Sequence, residues 1–189
     1  MKKIIFFVYL TLLSLCMYAQ QESFVLRSNG TFTNRANNSS YILLKCPGIS
    51  QQDLYYNFLV TLQNKCLTAE GQYSVVPNKS INIYRYESKF KVSGGFWGAT
   101  FNGYLYYKFM FQFRDGQVRI EAPIVDHLGN PYTKTESYWQ FQDVLELVGL
   151  FEKDGSVKEK RRDQVEKLES DVNGVLADII KCSLDNMKW

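Results

Sequence analysis

Histidine is almost missing from this chain: among 189 residues, His127 is the only one. A hydrolytic triad needs a base and a cysteine nucleophile needs a histidine partner, so both chemistries would rest on one residue beside Asp126 in a turn. No Gly-x-Ser-x-Gly elbow accompanies it, and a solvated loop histidine is the better reading. Metal-ligand spacing is missing as well. Cys46, Cys66, His127 and Cys182 are scattered, whereas structural zinc sites draw on closely spaced pairs. No calcium-loop pattern occurs, and Gly94-Gly95-Phe96-Trp97-Gly98 lacks the lysine and the strand-to-helix setting of a phosphate loop. That segment reads as a turn, and no cofactor is expected.

Excess charge and long apolar runs are scarce too. The chain carries 22 Lys and Arg against 19 Asp and Glu, a net charge of +3. Two of those cations, Lys2 and Lys3, precede an apolar run from Ile4 to Leu15, and Ala19 supplies a small residue before Gln20. This arrangement fits a secretory signal peptide over residues 1–19. A lipoprotein signal ending at a lipid-modified Cys16 is the rival, opposed by the bulk of Leu15; an uncleaved anchor is the third reading. Removing the signal leaves one cation in excess, too little for a field that attracts nucleic acid. No later stretch is apolar and long enough for a membrane helix. The expected location is therefore outside the cytoplasm, in a periplasm or at an outer membrane, with membrane contact only if Cys16 is lipidated. Three cysteines would remain, Cys46, Cys66 and Cys182; the odd number leaves at least one free thiol or an intermolecular bridge, and three buried small side chains are the simplest account.

What the chain does hold is enough apolar residue for one core: 46% hydrophobic, with 13 Tyr and 13 Phe. That excludes a disordered chain, a collagen-like repeat and a disulfide-dense miniprotein. Residues 20–39 are polar and turn-rich and read as a loosely ordered lead-in; residues 40–187 read as a single α+β domain. Tyr41–Cys46 reads as a strand stopped by Pro47-Gly48. Ser50 then caps a helix to Cys66, with Asp53 in the box position and Leu54, Phe58 and Leu62 on one stripe. Ser80–Val92, Gly103–Arg114 and Gln117–Val125 read as strands. Asp115-Gly116 between the last two suits a type I′ turn.

That turn fixes a register: Phe113 opposite Val118, Phe111 opposite Ile120, Phe109 opposite Ala122, Tyr107 opposite Ile124, all on one face. Residues 126–155 read as a loop and a short helix or irregular segment, with Val144, Leu147, Val148 and Phe151 at helical spacing. Val157–Met187 reads as a closing helix with Val165, Leu168, Val172, Val175, Leu176, Ile179 and Ile180 on its stripe. The architecture expected is an antiparallel curved sheet with two helices on one face, in the order β-α-β-β-β-(loop or short helix)-α.

The strand Tyr41–Cys46, the Pro-Gly break into Ser50–Cys66, the ribbon Tyr104–Arg114-Asp115-Gly116-Gln117–Ile124 and the closing helix resemble the domain of unknown function 4468 family of small secreted Gram-negative proteins. The resemblance covers residues 40–186. It implies a TATA-binding-protein-like fold, and it implies no catalytic residues.

The outer face of the sheet is the most informative surface. Tyr104, Tyr106, Lys108, Met110 and Arg119 share it opposite the helices, and rings beside cations stack on sugars or peptides. The turn at Phe96 and Trp97 is a second candidate tip. Lys158–Arg162 is balanced by neighbouring acids and reads as a solvated helix face. The function expected is therefore an exported, non-enzymatic binding module for a protein or glycan, with no nucleic-acid partner. The alternatives are a hydrolase using carboxylates near Asp126 and Glu136, and a structural component tethered through Cys16.

Overall fold

The computed structural model describes residues 22–65, 73–94, 99–129 and 140–185. Its strands are β1 (Phe24–Leu26), β2 (Phe32–Asn34), β3 (Tyr41–Lys45), β4 (Tyr73–Val76), β5 (Ser80–Gly94), β6 (Ala99–Arg114), β7 (Gln117–Glu121) and β8 (Ile124–Gly129). The helices are α1 (Gln51–Lys65), α2 (Phe141–Val148) and α3 (Arg162–Asp185), the last entered through a 3-10 turn at Glu159–Arg161. The signal segment, Cys16, Cys66, Phe96, Trp97 and Glu136 lie outside the described residues, as does the side chain of His127.

The main sheet is antiparallel and runs β3-β7-β6-β5-β4, with β8 pairing along β6 beyond β7. Alternation places Ile81 and Ile83 of β5, Phe109, Phe111 and Phe113 of β6, and Val118 and Ile120 of β7 on one face, each at most 2% exposed. Leu54, Phe58 and Leu62 of α1 and Val165, Leu168, Val172, Leu176 and Ile179 of α3 pack on that face. Rings interlock at the contact: Phe58 lies 5.6 Å from Phe111 and 5.4 Å from Phe113, and Tyr55 meets Phe113 edge-on at 5.8 Å. Each such buried side chain is worth roughly 1.5–3 kcal/mol, which makes this layer the source of the fold's stability. Phe141, Val144, Leu145 and Val148 of α2 join the same cluster, so three helical segments cover the face rather than two.

Helix α1 starts where its sequence says it should. Ser50 Oγ accepts the Asp53 amide at 3.1 Å and donates to the Asp53 carboxylate at 2.7 Å. The Gln51 amide donates to Asp115 Oδ1 at 2.8 Å, so the β6–β7 turn helps cap the helix. That contact also sets the turn. Gly116 has φ 70°, but Asp115 is not among the positive-φ residues, which gives the sign pattern of a type II turn instead of type I′. Gly116 is held on both sides, accepting from the Cys46 amide at 2.7 Å and donating to the Ile49 carbonyl at 2.9 Å. Tertiary hydrogen bonds thus override the local hairpin preference while keeping the two-residue loop.

Residues 22–39 are not a loose lead-in. Strands β1 and β2 form a hairpin whose Phe24, Leu26 and Phe32 are at most 3% exposed and belong to the core. The sequence hides this because its apolar residues are few and set among turn residues. The free edge of β1 is satisfied by α3. The Asn173 carboxamide accepts the Phe24 amide at 2.8 Å and donates to the Phe24 carbonyl at 2.9 Å, as a neighbouring strand would. Glu169 accepts the Leu26 amide at 3.0 Å and pairs with Arg35 at 2.9 Å. Gln164 repeats the device on β5, accepting from and donating to the main chain of Ser93 at 2.9 Å each. Buried main-chain groups demand partners, and α3 supplies them with two amides and a carboxylate.

The curved sheet is the expectation that fails. The sheet does not curl: its path is open, with short strands β3 and β4 as unjoined ends. Each end strand pairs over only four or five residues of its neighbour, so no continuous ladder bends the sheet round.

Candidate functional site

The register expected from the turn holds for four pairs, Arg114 with Gln117 through Phe111 with Ile120. It then slips. Tyr107 pairs with Val125 instead of Ile124, and Lys108 with Ile124; a second shift puts Tyr106 opposite His127. Pro123 lies at the break. A proline has no amide to give a ladder, so a strand carrying one must end or bulge there. Ala122 instead donates to the Ser40 carbonyl at 2.7 Å, away from β6. Strand β5 also shifts register between Ile83 and Tyr86, on the other side of the same part of β6. Two irregularities therefore flank Lys108–Met110.

The consequence is a cleft of about 840 Å³ where β6 loses its partner. The β1–β2 turn at Asn29–Thr31, the 121–125 break and the start of α2 enclose it. Met110, 38% exposed, and Ile124, 62% exposed, stand in its wall, and Phe109 and Phe141 also line it. Asn82 also lines it, and the Asn82 Oδ1 is buried with no hydrogen-bond partner.

The five candidate residues of the outer face do share it, but not as one open platform. Tyr106 is 1% exposed, and its ring packs on Gly129, where an added Cβ would lie 2.6 Å from the ring. It stands apart from the main core cluster and is unavailable to a ligand. Tyr104 is half-buried. Lys108 is ion-paired with Asp126. Arg119 pairs with Glu121 at 2.7 Å and lies 4.0 Å over the ring of Tyr41. Met110 alone is plainly exposed. Sequence alternation puts these residues on one face; it says nothing of which would be covered or paired within it.

Residues that alternation did not single out complete the surface. Register brings Lys45, Lys89, Lys91 and Arg114 to the same face as Lys108 and Arg119, beside Glu87 and Glu121, and Asp126 joins them through its ion pair with Lys108. Lys45, Lys89, Lys91, Asn102, Gln112 and Arg114 are exposed. Strand β5 alone gave no sign of this, because its lysines face outward only once the shift after Ile83 is known.

Nucleophilic chemistry finds little support. Burial pushes the Cys46 thiol up to about 11, away from the thiolate that would react. Cys46 and Cys182 are both free thiols. Among the described residues no group of three or more His, Cys, Asp or Glu is placed to hold a metal ion. Of the paired carboxylates considered for hydrolysis, Asp126 is engaged by Lys108.

The fold, by contrast, has known counterparts. A crystal structure of a DUF4468 family protein from Bacteroides ovatus superposes with a TM-score of 0.53 at 12% identity, over 76% of this chain and 84% of that chain. The two share a fold. A TBP-like protein from Parabacteroides distasonis gives a TM-score of 0.49 at 13% identity, over 76% of this chain and 90% of that one. No family model and no curated protein matches the sequence. At such identities the shared fold carries no activity across.

Proposed function

We propose that this protein is an exported, non-catalytic binding module that engages a protein or glycan through the outer face of its sheet. One observation carries the reading. The inner face is sealed by three helices, whereas the outer face keeps a solvent-facing strip of Lys89, Lys91, Asn102, Met110 and Gln112. Among the residues that register assigns to that face, the basic ones outnumber the acidic ones. Its charge is thus net positive, and an acidic or hydroxyl-rich partner complements it. Mechanically, such binding needs only a rigid platform, and the aromatic layer beneath supplies it.

The double variant Lys91→Glu with Gln112→Glu tests this without touching the core. The wild-type protein, immobilised and exposed to an array of acidic and neutral glycans and to envelope extracts, should retain a partner that the variant loses at least tenfold. Identical retention by both proteins, with unchanged melting temperatures, contradicts the reading.

A further inference from the structure

We propose that the cleft beside the register break binds a small uncharged amphiphile, with an aliphatic body against Met110 and Ile124 and an amide or hydroxyl head at Asn82. The cleft has the dimensions of a ligand site: about 840 Å³, within the usual 300–1,000 Å³. Its wall is mainly apolar, and two of its apolar members, Met110 and Ile124, are exposed, with no element among the described residues covering them. Folding gains nothing from leaving an isoleucine 62% exposed at the mouth of a cavity; an apolar occupant would.

Asn82 gives the head-group chemistry. Its Nδ2 makes a long contact of 3.4 Å to Ser74 Oγ, and its Oδ1 is buried without a partner. A carboxamide oxygen buried without a partner costs stability, and a donor on a ligand would remove that cost. The charged residues around the cleft argue against a charged head. Lys108 is paired with Asp126, Glu121 with Arg119, and Asp143 sits in the first turn of α2, where the helix dipole already complements it. The inference rests on the reading of the outer face as a binding surface, since Met110 belongs to both. An empty cleft would nevertheless leave the strip at Lys91 and Gln112 untouched.

The test is titration calorimetry of the folded protein with decanamide, decanoate and decylammonium, each below its micellar concentration. Decanamide is expected to bind saturably at one site, at least tenfold tighter than either charged analogue. Ile124→Glu should weaken decanamide at least tenfold with no fall in melting temperature, because that side chain packs on little else. Asn82→Leu should raise the melting temperature of the unliganded protein while reducing the preference for decanamide over decanoate to less than threefold. Absence of saturable binding overturns the proposal, as does equal affinity for all three probes or indifference to both variants. Tighter binding of decylammonium would move the head group to Asp143 and overturn the assignment to Asn82. Loss of glycan or protein retention by Lys91→Glu with Gln112→Glu, without change in decanamide affinity, keeps the two readings separate.

Discussion

The two halves of β6 pair with different strands under different rules. From Phe111 to Arg114 the strand pairs with β7 in the register the two-residue turn dictates, and Phe111 and Phe113 bury on the helices. From Tyr104 to Lys108 it pairs with β8 after two shifts, and the residues on its outer side become buried, paired or open to a cleft in turn. A turn controls register only as far as the ladder is unbroken. Past Pro123, packing and side-chain pairing decide, and there the surface acquires features on which a ligand can act.

The largest expected effect lies in the regular half. Phe111→Ala removes a ring packed at 5.6 Å on Phe58, and should cost about 3–5 kcal/mol in a urea melt. A cost under 1 kcal/mol would show that the hairpin end is not the anchor. Gly94→Ala probes the helix side of the same core, since an added Cβ would come within 2.2 Å of the Val148 carbonyl. The backbone of α2 or β5 must shift, and a loss of about 1–3 kcal/mol is expected by the same melt. Asn173→Ala leaves the Phe24 amide and carbonyl unpartnered and should destabilise by about 1–3 kcal/mol, with faster amide exchange at Phe24 and Leu26. Unchanged exchange there would mean that α3 does not hold the hairpin. Cys46 offers a pH test of the core. Its folded thiol titrates near 11 against an ordinary 9.0, so the unfolded chain releases that proton first and stability should fall as pH rises from 9 to 11. Cys46→Ala should flatten that slope in melts followed across the range. The smallest effect belongs to the irregular half: Lys108→Ala breaks a partly exposed ion pair and should cost under about 1 kcal/mol.

Much of the regular half was legible in the sequence. Alternating Phe109, Phe111 and Phe113 against Val118 and Ile120, a two-residue turn with glycine, and the four-residue spacing of Leu54, Phe58 and Leu62 each specify local geometry. The rest was hidden for physical reasons. Strands β1 and β4 are three and four residues long, too short for period to emerge. The turn type depends on Gln51 and Ile49, distant partners that no local pattern encodes. Tyr106 looked like an open ring because alternation assigns a face and not an exposure. The cleft needed both the break at Pro123 and the neighbouring shift in β5; of the two, only the proline was visible beforehand.

Cross-strand nuclear Overhauser contacts between β6 and the 121–129 segment test the account most directly. Main-chain contacts of Tyr107 with Val125 and of Lys108 with Ile124 are predicted, with none joining Phe109 to Ala122 as ladder partners. Contacts of Tyr107 with Ile124 and Phe109 with Ala122 would mean an unbroken ribbon with no cleft, and would contradict it.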